Sequence, residues 1–138
     1  MPERIFQGKY SSLAAIGEFV HQVAQAAHFN SLDIYAIELA VDEICTNIIE
    51  HGYRGDSSKP IVCLIEETGQ GIVVQIKDEA APFQPTLPPK KWDNPPLEKI
   101  KPRGIGVYLV YHLMDEVNYQ RRTDKQGNVI TLVKKRSR

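Results

Sequence analysis

Ile61-Val62-Cys63-Leu64-Ile65, a break at Thr68-Gly69-Gln70-Gly71, then Ile72-Val73-Val74-Gln75-Ile76-Lys77: this stretch spells a β-hairpin. Two β-branched runs around a short Gly-containing turn are the local pattern of antiparallel strands. A second pair follows near 116–122 and 128–135, turning at Asp124-Lys125-Gln126-Gly127. Upstream, residues 3–9 suit a short first strand. Ser11 or Ser12 then caps a helix over about 13–28, with Leu13, Ile16, Val20, Val23 and Ala27 on one face. Asn30-Ser31 breaks it, and Ser31 suits the cap of a second helix carrying Ile37, Val41, Ile44 and Ile48. That helix is expected to end near His51-Gly52, with Gly52 as its C-terminal cap. A third helix opens at Gly104-Ile105-Gly106 and runs to about Met114. The order is β-α-α-β-β-α-β-β. A parallel sheet needs a crossover between each pair of strands, which this order lacks. The expected fold is α+β: a two-layer sandwich, its sheet mixed but mostly antiparallel, with helices on one face.

The chain of 138 residues suits a single domain over 1–138, and 42% apolar with 25% charged residues is ordinary for a folded chain. The formal net charge is zero, which argues against direct nucleic-acid binding. That zero hides a split: residues 1–120 carry ten basic and sixteen acidic groups, and residues 121–138 carry seven and one. No apolar run nears the ~20 residues that span a membrane, and Met1-Pro2-Glu3-Arg4 has no signal-like apolar segment. Cys45 and Cys63 lie in apolar segments with no zinc spacing, so both read as reduced core residues and the expected location is cytoplasmic. Seven of nine prolines fall between 82 and 102, which makes that stretch a long loop, the kind that often acts as a lid.

Three segments carry candidate chemistry. Glu43, Asn47 and His51 stand four residues apart, so at about 100° per residue they share one side of the second helix. Asp78-Glu79-Ala80-Ala81-Pro82-Phe83 follows directly on a strand, where an Asp can meet an amine or base edge. Arg103-Gly104-Ile105-Gly106 opens a helix, where glycines let amides approach a phosphate and the helix N-terminus favours negative charge. The basic residues Lys90, Lys91, Lys99, Lys101 and Arg103 lead into it.

In order and spacing these segments resemble the nucleotide-binding boxes of the GHKL, or histidine kinase-like, ATPase superfamily, and within it the anti-sigma-factor serine kinase branch. Glu43 through Tyr53 resembles the N box, Glu-x-x-x-Asn-x-x-x-His-Gly-Tyr. Asp78 through Phe83 resembles the first glycine box, with Ala80 where the family has glycine. Arg103 through Val110 with Met114 through Val117 resembles the second glycine box, and Gly127 through Leu132 the closing strand, with Asn128 where gyrase-type members have threonine. The resemblance implies a Bergerat-type fold binding ATP and Mg²⁺. By it, Glu43 is the general base, Asn47 the Mg²⁺ ligand, and Asp78 the acceptor for the adenine amino group. Gly104 and Gly106 hold phosphates with help from Arg103 or Lys101, and His51, Ala80, Phe83, Ile105, Val107 and Asn128 complete the nucleotide site.

The implied activity is an ATP-dependent protein serine/threonine kinase acting on an anti-anti-sigma partner and sequestering a sigma factor, with a homodimer as a further expectation. A rival reading, motivated by Ala80, is a partner-binding module of the same fold without catalysis. Another is a metalloprotein using Glu43, His51 and Asp78, though these lack a recognised zinc spacing. Trp92 reads as a loop anchor or a clamp within the lid.

Overall fold

The computed structural model describes residues 2–81 and 105–136. In chain order these form β1 (Glu3–Gln7), a 3₁₀ turn (Tyr10–Ser12), α1 (Leu13–Ala26), α2 (Ser31–Asn47) and a π-helical turn (Ile48–Gly52). Then come β2 (Pro60–Glu67), β3 (Gly71–Lys77), α3 (Ile105–Leu113), β4 (Glu116–Arg121) and β5 (Asn128–Lys135). The five strands make one sheet in the order β1-β2-β3-β5-β4. All four pairings are antiparallel, so the expected mixed, mostly antiparallel sheet is antiparallel throughout the described residues.

Strand alternation decides which face is covered. Ile61, Cys63 and Ile65 of β2, Ile72, Val74 and Ile76 of β3, and Ile130 and Leu132 of β5 are buried under the helices. The register sets them side by side: Cys63 against Ile76, Val74 against Leu132, Ile76 against Ile130. Ile16, Phe19, Val20 and Ala24 line the inner face of α1, and Ile37, Val41, Ile44 and Ile48 continue one stripe along α2. The helical and strand side chains join in one buried cluster. The α+β two-layer arrangement is therefore observed. None of the described helices is long and apolar enough to cross a membrane.

Three element ends differ from the sequence reading. The cap of α2 is Asn30 rather than Ser31: Asn30 is extended, and its side chain accepts from the Asp33 amide at 2.8 Å. Ser12 holds the N-cap position of α1 but makes no side-chain cap bond, because the 3₁₀ turn already leads into the helix. Gly52 does not cap α2. The helix widens instead into a π turn closed by Tyr53 N–H on Ile48 O at 2.7 Å, and the left-handed residues come later, Arg54 at φ 50° and Gly55 at φ 89°.

Candidate functional site

Asp78 follows the last residue of β3. The two-residue period that buries Ile72, Val74 and Ile76 carries the Asp78 carboxylate onto the same covered face, where it is fully buried. Its Oδ1 accepts three hydrogen bonds: from the Ala80 amide at 2.8 Å, the Asn128 amide at 3.2 Å and Asn128 Nδ2 at 2.9 Å. Its Oδ2 is buried with no partner among the described residues. Burial raises the proton affinity of this carboxyl; the donors from Ala80 and Asn128 and the charge of Arg121 oppose the rise.

The surroundings hold this geometry from several elements. Asn128 Oδ1 accepts from the Tyr119 hydroxyl and from Arg121 Nη1 at 2.7 Å. Arg122 Nη1 donates to the Asp78 carbonyl at 3.2 Å, and its Nη2 pairs with Asp124 at 2.8 Å. Gly127, at φ 146°, lies so close that an added Cβ would sit 2.0 Å from the Asp78 carbonyl oxygen. From the other side, the Tyr53 hydroxyl accepts from the Glu79 amide at 2.9 Å and donates to the Pro60 carbonyl. Burial pushes the Tyr53 phenol well above the ordinary tyrosine range; the Glu79 amide opposes this and the Asp78 and Glu79 charges add to it. The end of the N-box segment is thereby tied to the loop that carries Asp78.

Ala80, the departure from the family glycine, is fully buried in the core cluster. The non-glycine residues with positive φ in the described chain are His28 and Arg54, so Ala80 has no left-handed backbone to strain. Its amide is used, as one of the three donors to Asp78.

Glu43 and Asn47 lie on the last turns of α2, both half-buried. Burial is the first cause that raises the Glu43 carboxyl above the usual range, followed by the nearby charges of Asp42 and Glu50. The Asn47 side chain caps no backbone amide, which leaves its oxygen for another use. His51 sits in the π turn, half-exposed, 3.8 Å from Glu50. The α-helical spacing argument therefore holds from Glu43 to Asn47 and not for the step to His51, because a π turn has a different rotation per residue. Among the described residues no three His, Cys, Asp or Glu side chains gather as a metal site, so Glu43, His51 and Asp78 do not form one.

Ile105, Gly106 and Val107 belong to the first turn of α3. Phe83, Arg103, Gly104, Trp92 and the proline-rich stretch lie outside the described residues. Asn128, expected to complete the nucleotide site, bonds Asp78 directly. The sequence reading missed Tyr119, Arg121 and Arg122. Their only signal was their place on a hairpin whose far strand begins at Asn128, and that signal needs the register, which pairs Arg121 with Asn128.

Residues 6–134 match the family model described as a histidine kinase-like ATPase domain. The "Serine-protein kinase RsbW" of Bacillus mycoides (strain KBAB4) is 30% identical over 99 residues, covering 69% of this chain and 61% of that protein. Its namesake in Halalkalibacterium halodurans is 26% identical over 118 residues, covering 83% of this chain and 70% of that one. This chain thus spans about three fifths of the length of the Bacillus mycoides relative. Among solved structures, the RsbU and RsbW domains of Rv1364c from Mycobacterium tuberculosis superpose with a TM-score of 0.68 at 18% identity, over 100% of this chain and 33% of that one. At that identity the likeness is one of fold.

Proposed function

The chain belongs to the histidine kinase-like ATPase family, and from that premise we propose that it is an ATP-dependent protein serine/threonine kinase that also binds a sigma factor. The observation that carries the reading is the Asp78 carboxylate. One oxygen takes three donors and the other is buried with no partner among the described residues, a place that suits a ligand bringing an N–H donor. The amino group of adenine is such a donor. The similarity to serine-protein kinases supports the same reading.

In this proposal Asp78 orients the base, and Asn47 would hold Mg²⁺, an ion that takes few protein ligands. When bound, that ion neutralises phosphate charge. Arg103 and the amides of Gly104 and Gly106 hold the phosphates, a role for which the opening of α3 is suited. Glu43 accepts the proton of the serine hydroxyl as its oxygen bonds to the γ-phosphorus and ADP departs. A carboxyl whose proton affinity is already raised is a stronger base than an exposed one. The substrate serine lies on an anti-anti-sigma partner. The departure that motivated a non-catalytic module, Ala80, has lost its force, since its backbone is unstrained and its amide serves Asp78.

Purified chain with ATP, Mg²⁺ and the partner should yield phosphoserine, and Glu43→Ala should abolish it while ATP binding persists in calorimetry. Undiminished phosphorylation in that variant would reject Glu43 as the base, and no ATP binding by the parent chain would reject the kinase reading.

A further inference from the structure

Asn128 is a two-ended side chain: its carbonyl only accepts and its amino group only donates. Arg121 carries donors and no acceptor, so the 2.7 Å contact between Arg121 Nη1 and Asn128 Oδ1 dictates which way the amide faces. The Tyr119 hydroxyl, donating to the same oxygen, agrees. Nδ2 is then left to point at Asp78 Oδ1, 2.9 Å away. We propose that Arg121, acting through Asn128 with Tyr119, is a positioning residue that keeps Asp78 an acceptor and so makes the site select a base edge that donates. This rests on the nucleotide-binding reading and deepens it, since it assigns the selection to residues outside the sequence motifs.

The physical argument follows from removing Arg121. Tyrosine can donate or accept, so Tyr119 alone does not fix the amide. A turned amide would set Asn128 Oδ1 against Asp78 Oδ1, acceptor against acceptor. Asp78, which also loses the nearby charge of Arg121, then retains a proton to higher pH, and a protonated carboxyl donates, which suits a keto edge instead of an amino edge. Among the described residues, the other charged or titratable groups around Asp78 are Arg122 on its carbonyl, Glu79 beside it with Lys125 at 3.4 Å, and the Tyr53 phenol. None of these touches the Asn128 amide. Arg121 is exposed at the end of an edge strand, so replacing it leaves the core intact.

The test uses the full chain with ATP and ITP, whose bases differ at C6, amino against keto, and with it at N1, acceptor against N–H donor. In Arg121→Met the Asp78 carboxyl, followed by ¹³C NMR, should titrate about one pH unit higher, and the ATP-to-ITP affinity ratio should fall about tenfold. Arg121→Lys, which keeps a donor and no acceptor, should restore both. An unchanged Asp78 midpoint and ratio in Arg121→Met overturn the relay. Asn128→Asp asks the question with the arginine in place, because a carboxylate there, held charged by Arg121 and Tyr119, faces Asp78 acceptor against acceptor. Its Asp78 midpoint should lie above that of the parent chain and its ATP-to-ITP ratio below it at the same pH; values equal to those of the parent overturn the proposal. If the parent chain binds neither nucleotide, the nucleotide reading fails, and the Asp78 titration still decides the relay.

Discussion

A buried carboxylate that spends one oxygen on three donors while the other has no partner among the described residues is costly to keep charged in the free protein. Because burial raises its folded proton affinity, Asp78 contributes stability at low pH that is lost as pH rises through its folded pKa. Asp78→Asn should flatten this dependence, read as Tm against pH, and should remove ATP binding in calorimetry, since an amide places a donor where an acceptor is needed. Glu43 has the same sign. Glu43→Gln should match or exceed the parent Tm at neutral pH, the margin closing as the pH falls below the Glu43 pKa, while phosphoryl transfer is lost. The places of Asp78 and Glu43 in the fold could be read from the sequence because each sits at a fixed place in a periodic element, while their assignment to a nucleotide site comes from the family resemblance. Asn128 was expected at the same site, but its bond to Asp78 and its link to Tyr119 and Arg121 could not be read: Asn128 and Asp78 are fifty residues apart and meet only through strand register.

Strands and helices were set by apolar periodicity, and their ends by chemistry too local for that signal. The alternation in 61–77 gave the β2–β3 hairpin, and β5 begins at Asn128 as expected. The stop of α1 is different. His28 takes the left-handed position at φ 64°, and Phe29 N–H closes on Ala24 O at 3.1 Å. An L-residue there costs about 1 kcal/mol, partly offset by the freedom a glycine loses on folding. His28→Gly should therefore raise stability by roughly 0.5 kcal/mol in denaturant melts. Gly127 shows the reverse. Gly127→Ala adds a Cβ at φ 146° against the Asp78 carbonyl, and should cost about 2–3 kcal/mol while weakening ATP binding as Asp78 is displaced. The π turn after Asn47 has no propensity signature, and it interrupts the alignment that the spacing of Glu43, Asn47 and His51 suggested.

Across the molecule, the sheet order β1-β2-β3-β5-β4 puts β3 in the centre and the two strands adjoining it inside the edges. Asp78 thus leaves the most enclosed strand, while β4, which carries Tyr119 and Arg121, is an edge. Hydrogen exchange followed by mass spectrometry should show β3 amides exchanging last and β1 and β4 first. Slow exchange at β4 in the free chain would show that this edge is covered. The antiparallel two-layer plan was readable from the hairpins because local pairing leaves a local trace. The strand order was not, since placing β5 between β3 and β4 is a non-local pairing.

The Tyr53 hydroxyl bridges Pro60 and Glu79 from a buried position, and this gives the folded chain an alkaline limit. Among the tyrosines of the described residues, Tyr53 is held furthest above the ordinary range, so it keeps its proton where unfolded tyrosine has lost it. Cys63, pushed up to about 12 by burial, behaves alike. Above about pH 10 the unfolded chain therefore gains charge that the fold refuses, and stability drains away. Tyrosinate absorbance from the last phenol should then appear together with the loss of the β-sheet signal, and Tyr53→Phe should separate the two.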